Sequence, residues 1–481
     1  MKHNNFKKIK KIKIHRLFFF IFIFIFIFIS CSSSVNYSAL FTSNYIKKNI
    51  ESFIGNISKS ASIGIKIVSL KSKKVIFEKN GKKLLTPASN IKLLTYASAI
   101  ELLDIHYNFK TVIQSYDKNI ILTGSGDPTL KSEDLDSLAE IISQSFPKID
   151  TLFINTKKMD NLEYGEGWMW DEGSEEYSSP INTFIVNKNC ITFEYSSGAI
   201  GKPANINHSP YSNQIIINNK SITVDDTTDF LKFKIDRDWI KQTNQFDISG
   251  EILENSNKDT LTKNIYNPNL FNANLLTSYL SLHGSTVNHI TFTKTFNQPY
   301  DTLAIHKSKN IDVIGKKMMH ESDNQIAEVF LKMLGFEIKN EGSSAMGTTI
   351  LKAFLFNKAK IDTNFLRVKD GSGLSRYNLL NVDQIISLLV YMNESPYEEQ
   401  FKNSLPFGGE KRSQLENRLV NSGGQIRAKT GSLSGVSALS GYIESKTHGP
   451  LAFSIIINGF TGSSDPYKKL QDDICEFLVM N

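Results

Sequence analysis

The sequence predicts an α/β fold in which a domain of helices and antiparallel strands is interrupted by a largely β insert. Residues 86–100, TPASNIKLLTYASAI, have the apolar spacing of a helix that packs against a core. Residues 108–295 carry many short β-branched runs separated by Gly, Asn and Asp. After residue 296 helical spacing returns, and the chain closes with strands and a helix. The two outer segments are therefore expected to form one domain around the middle segment.

The N-terminus has the pattern of a targeting segment. Basic residues up to Arg16 precede an unbroken apolar run over residues 17–29, which is too short to span a bilayer comfortably. A serine and Cys31 follow, and a small residue before a cysteine is typical of a lipoprotein cleavage site. We therefore expect residues 1–30 to be a lipoprotein signal peptide and Cys31 to carry the lipid that anchors the protein to a membrane. A plain signal peptide and an uncleaved anchor are the alternatives, and all three export the protein.

The charge of the chain does not indicate a nucleic-acid partner. The net charge of +7 equals the number of Lys and Arg residues among residues 1–31, where there is no acid, so the rest of the chain is about neutral. The 9 His include no H-E-x-x-H motif and no Cys/His cluster, so we expect no metal site and no cofactor. Cys190 and Cys475 either pair in an oxidising compartment or are small buried side chains.

Residues 36–107 are predicted to be the first part of the α/β domain. Within them, residues 61–78 alternate apolar and polar positions around a turn at residues 71–73, which predicts two strands. These strands lead directly into the helix of residues 86–100, where Pro87 suits the first turn.

Residues 108–295 are predicted to be the insert, mostly β and made of two nested parts. Turn signals recur along it, for example at residues 187–189 and 225–226. One amphipathic helix is expected between residues 130 and 146. The run GSGDP at residues 124–128 lacks a full G-x-G-x-x-G motif before a helix, so it is interpreted as a turn.

Residues 296–481 are predicted to be the second part of the α/β domain. The expected elements are helices at residues 311–334, 345–358 and 382–392, strands at residues 425–428, 437–443 and 451–458, and a closing helix at residues 467–480. The three strands are expected to be antiparallel.

Ser89 and Lys92 lie three residues apart at the start of the predicted helix, so their side chains share one face. A serine hydroxyl is a weak nucleophile until a base takes its proton. A lysine in an apolar setting has a lowered pKa and can act as that base near neutral pH. Alone the S-x-x-K pattern is weak, because a surface serine and a lysine with an exposed amine match it equally well.

Two later motifs make the pattern specific. Residues 322–324 read Ser-Asp-Asn, and residues 429–431 read Lys-Thr-Gly. The motifs S-x-x-K, S-D-N and K-T-G, in this order, are the signature of penicillin-binding proteins and class A β-lactamases. We therefore expect the three motifs to meet in one cleft that forms an acyl-enzyme on a serine.

The chain resembles the penicillin-binding proteins of the D-alanyl-D-alanine carboxypeptidase and endopeptidase family, peptidase family S13. Beyond the three motifs, the resemblance rests on GSGDP at 124–128, GWMW at 167–170, YSSP at 177–180 and DGSGLSR at 370–376 with Asn378. It implies the serine β-lactamase and transpeptidase-like fold, an antiparallel sheet with helices on both faces. It also implies a place in the cell envelope, in the periplasm, with peptidoglycan stem peptides as substrates and β-lactam antibiotics as covalent inhibitors.

The resemblance implies catalytic roles for four residues. Ser89 is expected to be the nucleophile and Lys92 its base, while Ser322 and Lys429 relay a proton to the leaving amine. The backbone N–H groups of Ser89 and Ser432 are expected to stabilise the oxyanion.

Further residues are expected to bind the substrate: Asn324, Thr430, Gly431, Ser432, Glu172 and Tyr177. Asn324 is expected to hold the substrate amide. The hydroxyls of Thr430 and Ser432, beside the positive Lys429, suit the terminal carboxylate of the peptide. Glu172 and Tyr177 match the acid and the aromatic residue with which the family recognises the diamino-acid side chain, although the usual acid there is Asp.

Two other functions fit parts of the pattern. A β-lactamase or esterase-like serine hydrolase uses the same motifs, but β-lactamases are far shorter and need no such insert. A non-catalytic lipoprotein that binds peptidoglycan would need neither Ser89 nor Lys92. The sequence therefore favours a serine-type D-Ala-D-Ala carboxypeptidase, with DD-endopeptidase activity as a second reaction.

Overall fold

The computed structural model describes residues 37–481 apart from residues 56, 58, 227–229 and 297. The predicted signal peptide and the lipidation site at Cys31 lie outside the described residues. Within the described part, no helix combines the length and the apolar character needed to cross a membrane.

The helix α1 spans Tyr37–Gly55 and belongs to a different unit from the rest of the described chain. The second unit begins with an antiparallel hairpin of β1 (Ser62–Ser69) and β2 (Val75–Lys79), which confirms the two strands predicted there. A 3-10 turn at Ala88–Asn90 then leads into α2 (Ile91–Leu102). Because α2 is buried on all sides from Ile91 to Ile100, it is a central helix of the domain.

The next segment folds into short strands and two helices. In chain order they are β3 (Asn108–Tyr116), β4 (Asn119–Thr123), α3 (Ser132–Ser143), β5 (Lys148–Asn155), β6 (Cys190–Ser196), β7 (Asn205–Ser209), β8 (Ile216–Asn219), β9 (Ile222–Val224), β10 (Lys234–Arg237), β11 (Gln245–Ser249), β12 (Glu251–Leu253), β13 (Asp259–Asn264), α4 (Pro268–Leu282), β14 (Thr286–Thr293) and β15 (Asp301–Asn310). The helix predicted between residues 130 and 146 is confirmed as α3. The prediction missed α4, although Asn267 caps it through Leu270 N and Pro268 occupies its first turn.

Five of these strands form one sheet in the order β14-β5-β4-β3-β15. The helices α3 and α4 pack on it, with Leu138 and Leu276 in the shared core. The sheet includes β15, which follows residue 295, where the sequence analysis ended the insert. The domain boundaries stay a prediction.

The other strands of the segment form three small sheets, and strands of the first two contribute to a second core. β13, β6 and β7 pair in the first sheet, β10, β11 and β8 in the second, and β12 and β9 in the third. Phe193 and Phe246 lie in this core with ring centroids 4.7 Å apart. Each of the two parts of the segment therefore has a hydrophobic core of its own.

Residues 124–127 form an irregular segment that leads into a turn at residues 128–129, close to the turn predicted for residues 124–128. Asp127 Oδ1 accepts a hydrogen bond from Thr129 N (2.8 Å). A Cβ atom on Gly124 would lie 2.0 Å from Thr183 O, so only glycine lets the two backbones approach this closely. Gly124 is therefore needed for the close packing of these two backbone segments.

The last part of the chain returns to helices before the final strands. In order it contains α5 (Ile311–Glu321), α6 (Asn324–Lys339), α7 (Ser344–Asn357), α8 (Val382–Met392), α9 (Glu398–Ser404), β16 (Ile426–Leu433), β17 (Val436–Ser445), β18 (Gly449–Asn458) and α10 (Asp465–Met480). The single helix predicted for residues 311–334 is wrong, because the chain breaks between α5 and α6. Ser322 has a left-handed φ of 62°, and Asp323 Oδ1 accepts from Ile326 N (2.9 Å) to cap α6.

The start and the end of the second unit meet in one antiparallel sheet, in the order β16-β17-β18-β1-β2. Ile65 of β1 pairs with Ile455 of β18. Successive residues of a strand point to opposite faces. Ala438 of β17 joins the core that contains α2 and α8, whereas Ser437 Oγ donates to Gln471 Oε1 of α10 (3.3 Å). Helices therefore cover both faces of the sheet, which is the predicted arrangement.

Both remaining cysteines are free and buried. Burial raises the pKa of the Cys190 and Cys475 thiols above the ordinary value. Of the two alternatives predicted from the sequence, a disulfide bond or two small buried side chains, the structure shows the second.

Candidate active site

Ser89 lies in the 3-10 turn immediately before α2 and is half-buried. The chain just before it is tied to β18, because Thr86 N donates to Asn458 Oδ1 (2.7 Å) and Asn458 Nδ2 donates to Thr86 O (3.0 Å). Ala88 has a left-handed φ of 47°, which is uncommon for a residue with a Cβ atom. Such a conformation persists only where the surroundings hold it, so the turn presents Ser89 in a set orientation.

Two glycines let other segments reach the backbone of this turn. A Cβ atom on Gly373 would lie 2.0 Å from Ala88 O, and one on Gly431 would lie 2.7 Å from Pro87 O. Gly373 belongs to the loop of residues 370–376, and Gly431 belongs to β16. Both segments therefore contact the turn directly, and a larger side chain at either glycine would displace it.

Lys92 is fully buried in the first turn of α2. Its Nζ donates to Ser89 Oγ (3.0 Å), Asn324 Oδ1 (2.7 Å) and Ser372 O (2.7 Å). Burial lowers the pKa of Lys92 to about 8, against the raising effect of three nearby carboxylates. About a tenth of the lysine is then free base at pH 7, so it is able to take the Ser89 proton.

The loop of residues 370–376 folds around the buried carboxylate of Asp370. The two oxygens of that carboxylate accept hydrogen bonds from Gly373 N, Ser375 N, Asn378 Nδ2, Ser372 Oγ and Trp168 Nε1. This fold places the Ser372 carbonyl against Lys92 Nζ. The run DGSGLSR is recognisable in the sequence but its contact with Lys92 is not, because a backbone carbonyl has no signature of its own in a sequence.

A second serine–lysine pair lies beside the first. Ser322 occupies the break between α5 and α6, and Lys429 Nζ donates to Ser322 Oγ (3.0 Å) and to Thr430 O (3.1 Å). Lys429 is fully buried on β16. Burial and the nearby charge of Lys92 lower the pKa of Lys429 well below its ordinary value. The Lys429 amine therefore gives up its proton more readily than an exposed lysine does.

Asn324 links the base to the insert. Its Oδ1 accepts from Lys92, and its Nδ2 donates to Tyr177 O (2.9 Å). The neighbouring Asp323 is ion-paired with Lys188 of the insert, with Nζ 2.7 Å from Oδ2. The sequence analysis did not single out Lys188, which helps to hold the S-D-N segment.

Glu172 and Tyr177 are in contact, because Tyr177 Oη donates to Glu172 Oε2 (2.7 Å). Burial and the Glu172 carboxylate raise the pKa of Tyr177 above its ordinary value. Tyr177, Ser322 and Asn324 line a cavity of about 590 Å³. Tyr177 therefore lies at the edge of the site, next to Asn324, and Glu172 is bonded to its hydroxyl.

The three residues after Lys429 continue along β16. Thr430 and Gly431 are buried, and Ser432 is exposed. Asn90 Nδ2 donates to Lys429 O (3.0 Å), so this strand runs beside the Ser89 turn. Residues of all three motifs thus lie in one place, with two serine hydroxyls bonded to two buried lysines. Such an arrangement can activate a nucleophile and supply a proton to a leaving group.

Comparison with known proteins agrees with this geometry. The sequence model of the D-Ala-D-Ala carboxypeptidase 3 (S13) family matches residues 46–479. The D-alanyl-D-alanine carboxypeptidase DacB of Haemophilus influenzae is 26% identical over 432 residues, which are 86% of this chain and 88% of that protein. A D-alanyl-D-alanine carboxypeptidase of an Actinomadura species is 27% identical over 361 residues, 72% of this chain and 66% of that protein.

The solved structures show the same fold. The crystal structure of penicillin binding protein 4 from Haemophilus influenzae superimposes with a TM-score of 0.79 at 24% identity, covering 90% of this chain and 100% of that chain. A second crystal structure of that protein is complexed with a β-lactam. The chain therefore has the α/β fold of that penicillin binding protein. Because the family model matches nearly the whole chain, the protein belongs to the D-Ala-D-Ala carboxypeptidase 3 (S13) family and is a serine-type D-Ala-D-Ala carboxypeptidase.

Proposed function

We propose that the protein cleaves the D-Ala-D-Ala bond of peptidoglycan stem peptides through an acyl-enzyme on Ser89. The observation that carries this proposal is the contact between Ser89 Oγ and the buried, weakly basic Lys92 amine (3.0 Å). Ser89 Oγ bonds to the carbonyl carbon while its proton passes to Lys92. Water later hydrolyses the ester and returns a proton to Ser89.

The oxyanion formed in this attack needs donors that are already in place. We assign that role to the backbone N–H groups of Ser89 and Ser432. The Ser89 turn and β16 are in direct contact through Gly431, which supports the assignment. Loss of one such donor typically costs roughly 10²–10³ in rate.

Breaking the C–N bond requires a proton on the departing D-alanine amine. The Ser322 hydroxyl supplies it, and Lys429, bonded to Ser322 Oγ, passes on the proton that Lys92 took. The lowered pKa of Lys429 suits a group that gives up and regains a proton within one cycle. The protons of acylation are then balanced.

The remaining predicted residues are assigned to substrate binding. Asn324 holds the peptide amide, and Thr430, Gly431 and Ser432 form the carboxylate site beside Lys429. Glu172 and Tyr177, at the edge of the cavity, contact the diamino-acid side chain. A cross-linked peptide also has a bond that follows a D-alanine, so DD-endopeptidase activity is a second reaction of the same site.

Labelled penicillin tests the proposal. We expect covalent label on Ser89 that is released slowly, together with release of D-alanine from a stem peptide. Mass spectrometry of the intact protein and of its Ser89 peptide measures both the site and the persistence of the label. A non-catalytic peptidoglycan-binding protein would take no label, and a β-lactamase would release the label quickly.

The enzyme acts on the cell wall and therefore works in the cell envelope. We propose that it is a periplasmic lipoprotein with Cys31 as the lipidated first residue. Three features of the sequence support this proposal: the basic residues up to Arg16, the apolar run of residues 17–29 and the serine before Cys31. One acyl chain binds a membrane only marginally, so stable anchoring needs the several chains of a bacterial lipoprotein.

Replacing Cys31 with serine should abolish lipid attachment and lipoprotein processing. The reason is that serine lacks the thiol to which the lipid is joined. Metabolic labelling with a fatty acid measures this, with a Cys190→Ser variant as the matched control that keeps the label. Absence of label on the wild-type protein, or equal label on the Cys31 variant, would show that the protein is not a lipoprotein.

A further inference from the structure

Glu328 is a buried carboxyl group that the proposed mechanism does not use. It lies on α6 one turn after Asn324, so the two side chains share a face of the helix. Its side chain is 0% exposed. A carboxyl group is costly to bury unless its oxygens are bonded, so its partners matter.

One oxygen of Glu328 holds the loop that carries Ser372. Oε1 accepts from Gly371 N and from Ser372 N, each at 2.9 Å. The other oxygen, Oε2, is buried and has no hydrogen-bond partner among the described residues. The two oxygens of the nearby Asp370, in contrast, accept from five donors.

The opposite side of the same loop touches α2. Gly371 O accepts from Thr95 Oγ1 (2.7 Å), and Ser372 O accepts from Lys92 Nζ (2.7 Å). The backbone of Gly371 and Ser372 therefore lies between Glu328 and the helix of the base. Moving the Glu328 carboxyl would move the carbonyl that orients Lys92.

Charged groups face Glu328 and Lys92 from every neighbouring element. Asp370 lies on the loop, Asp323 at the start of α6 with Lys188 paired to it, and Lys429 on β16. Burial and the charge of Asp370 raise the pKa of Glu328 to about 8. The pKa of Lys92 is also about 8, and the Glu328 carboxylate is one of the groups that raise it. The two groups therefore titrate in one pH range and as a coupled pair.

We propose that Glu328 is a positioning residue for Lys92, which sets the carbonyl that orients the amine and controls, through its charge, the proton that the amine carries. This inference rests on the proposed roles of Ser89 and Lys92. The sign of the effect follows from the charges. A negative Glu328 favours protonated Lys92. Because Glu328 gains its charge only as the pH rises through about 8, removing the charge lets Lys92 lose its proton at lower pH within that range.

The test is the rate of acylation by penicillin as a function of pH, for wild-type protein and Glu328→Gln. The glutamine keeps an oxygen for the two loop N–H groups but has no charge. We expect the upper part of the acid limb, above about pH 8, to move to lower pH in Glu328→Gln by up to about one unit, because Glu328 is charged there in the wild type. Below the limb the two profiles should converge, because Glu328 is then protonated in the wild type. Glu337→Gln is the matched control, since it makes the same change on the exposed end of α6 and is expected to leave the profile in place.

A second variant separates charge from position and keeps the test informative if the glutamine variant does not fold. Glu328→Asp keeps the charge but shortens the side chain, so the acylation rate should fall at every pH while the limb stays where it is. An unmoved limb in Glu328→Gln, or an unchanged rate in Glu328→Asp, would overturn the proposal. Failure of the proposed function looks different, because wild-type protein would then take no label on Ser89 at all.

Discussion

Ser89→Ala is expected to abolish both D-alanine release and covalent penicillin labelling while the protein stays folded. The acyl-enzyme needs the Ser89 oxygen, and alanine has none. The fold should survive, because Lys92 Nζ keeps its bonds to Asn324 Oδ1 and Ser372 O. Mass spectrometry after incubation with penicillin measures the label, and thermal unfolding measures the fold.

The matched control for this variant is Ser98→Ala. Ser98 is a buried serine on the same helix, and its Oγ donates to Leu94 O (2.8 Å), away from the site. This variant should label like the wild type. Label that persists on another serine in Ser89→Ala, such as Ser322, would contradict the assignment of the nucleophile.

Lys92→Ala should reduce the acylation rate of Ser89 by several orders of magnitude. General-base assistance alone is worth roughly 10²–10⁴, and the variant also removes the contact that orients Ser89 Oγ. In the wild type the rate should rise as the pH increases through about 8, because the free-base form of Lys92 increases there. This limb should disappear in the variant.

Stopped-flow or quenched labelling with penicillin measures both effects. Lys158→Ala is the matched control, because burial also lowers the pKa of Lys158, which lies outside the site. Its acylation rate and pH limb should match those of the wild type. An unchanged acylation rate in Lys92→Ala would show that another group is the base.

Local patterns in the sequence were enough to predict much of the fold and several residues of the active site. The hairpin before Ser89, the helix after it and the three closing strands follow from apolar spacing, which depends only on neighbouring residues. The order of the three motifs predicted the family, and the comparisons confirm it. The residues Ser89, Lys92, Ser322, Asn324 and Lys429 were named from those motifs, and the structure places them together.

Other features depend on contacts that no local pattern contains. The single helix predicted for residues 311–334 ran across the polar residues 320–325, where the structure has Ser322 in a left-handed conformation and the helix breaks. That break is what lets Ser322 Oγ reach Lys429 Nζ. The cap of α6 by Asp323 is a local contact, but the bond to Lys429 joins residues 107 positions apart, and no local pattern contains it.

The environment of Lys92 is decided in the same way. By itself the sequence determined that a lysine stands three residues after a serine on one face of a helix. Only the tertiary structure brings the Ser372 carbonyl, 280 residues away, and the buried Glu328 carboxyl next to it. Backbone carbonyls are the same in every residue, and burial is a property of the packed fold, so the position and the proton affinity of this amine are set by the fold as a whole.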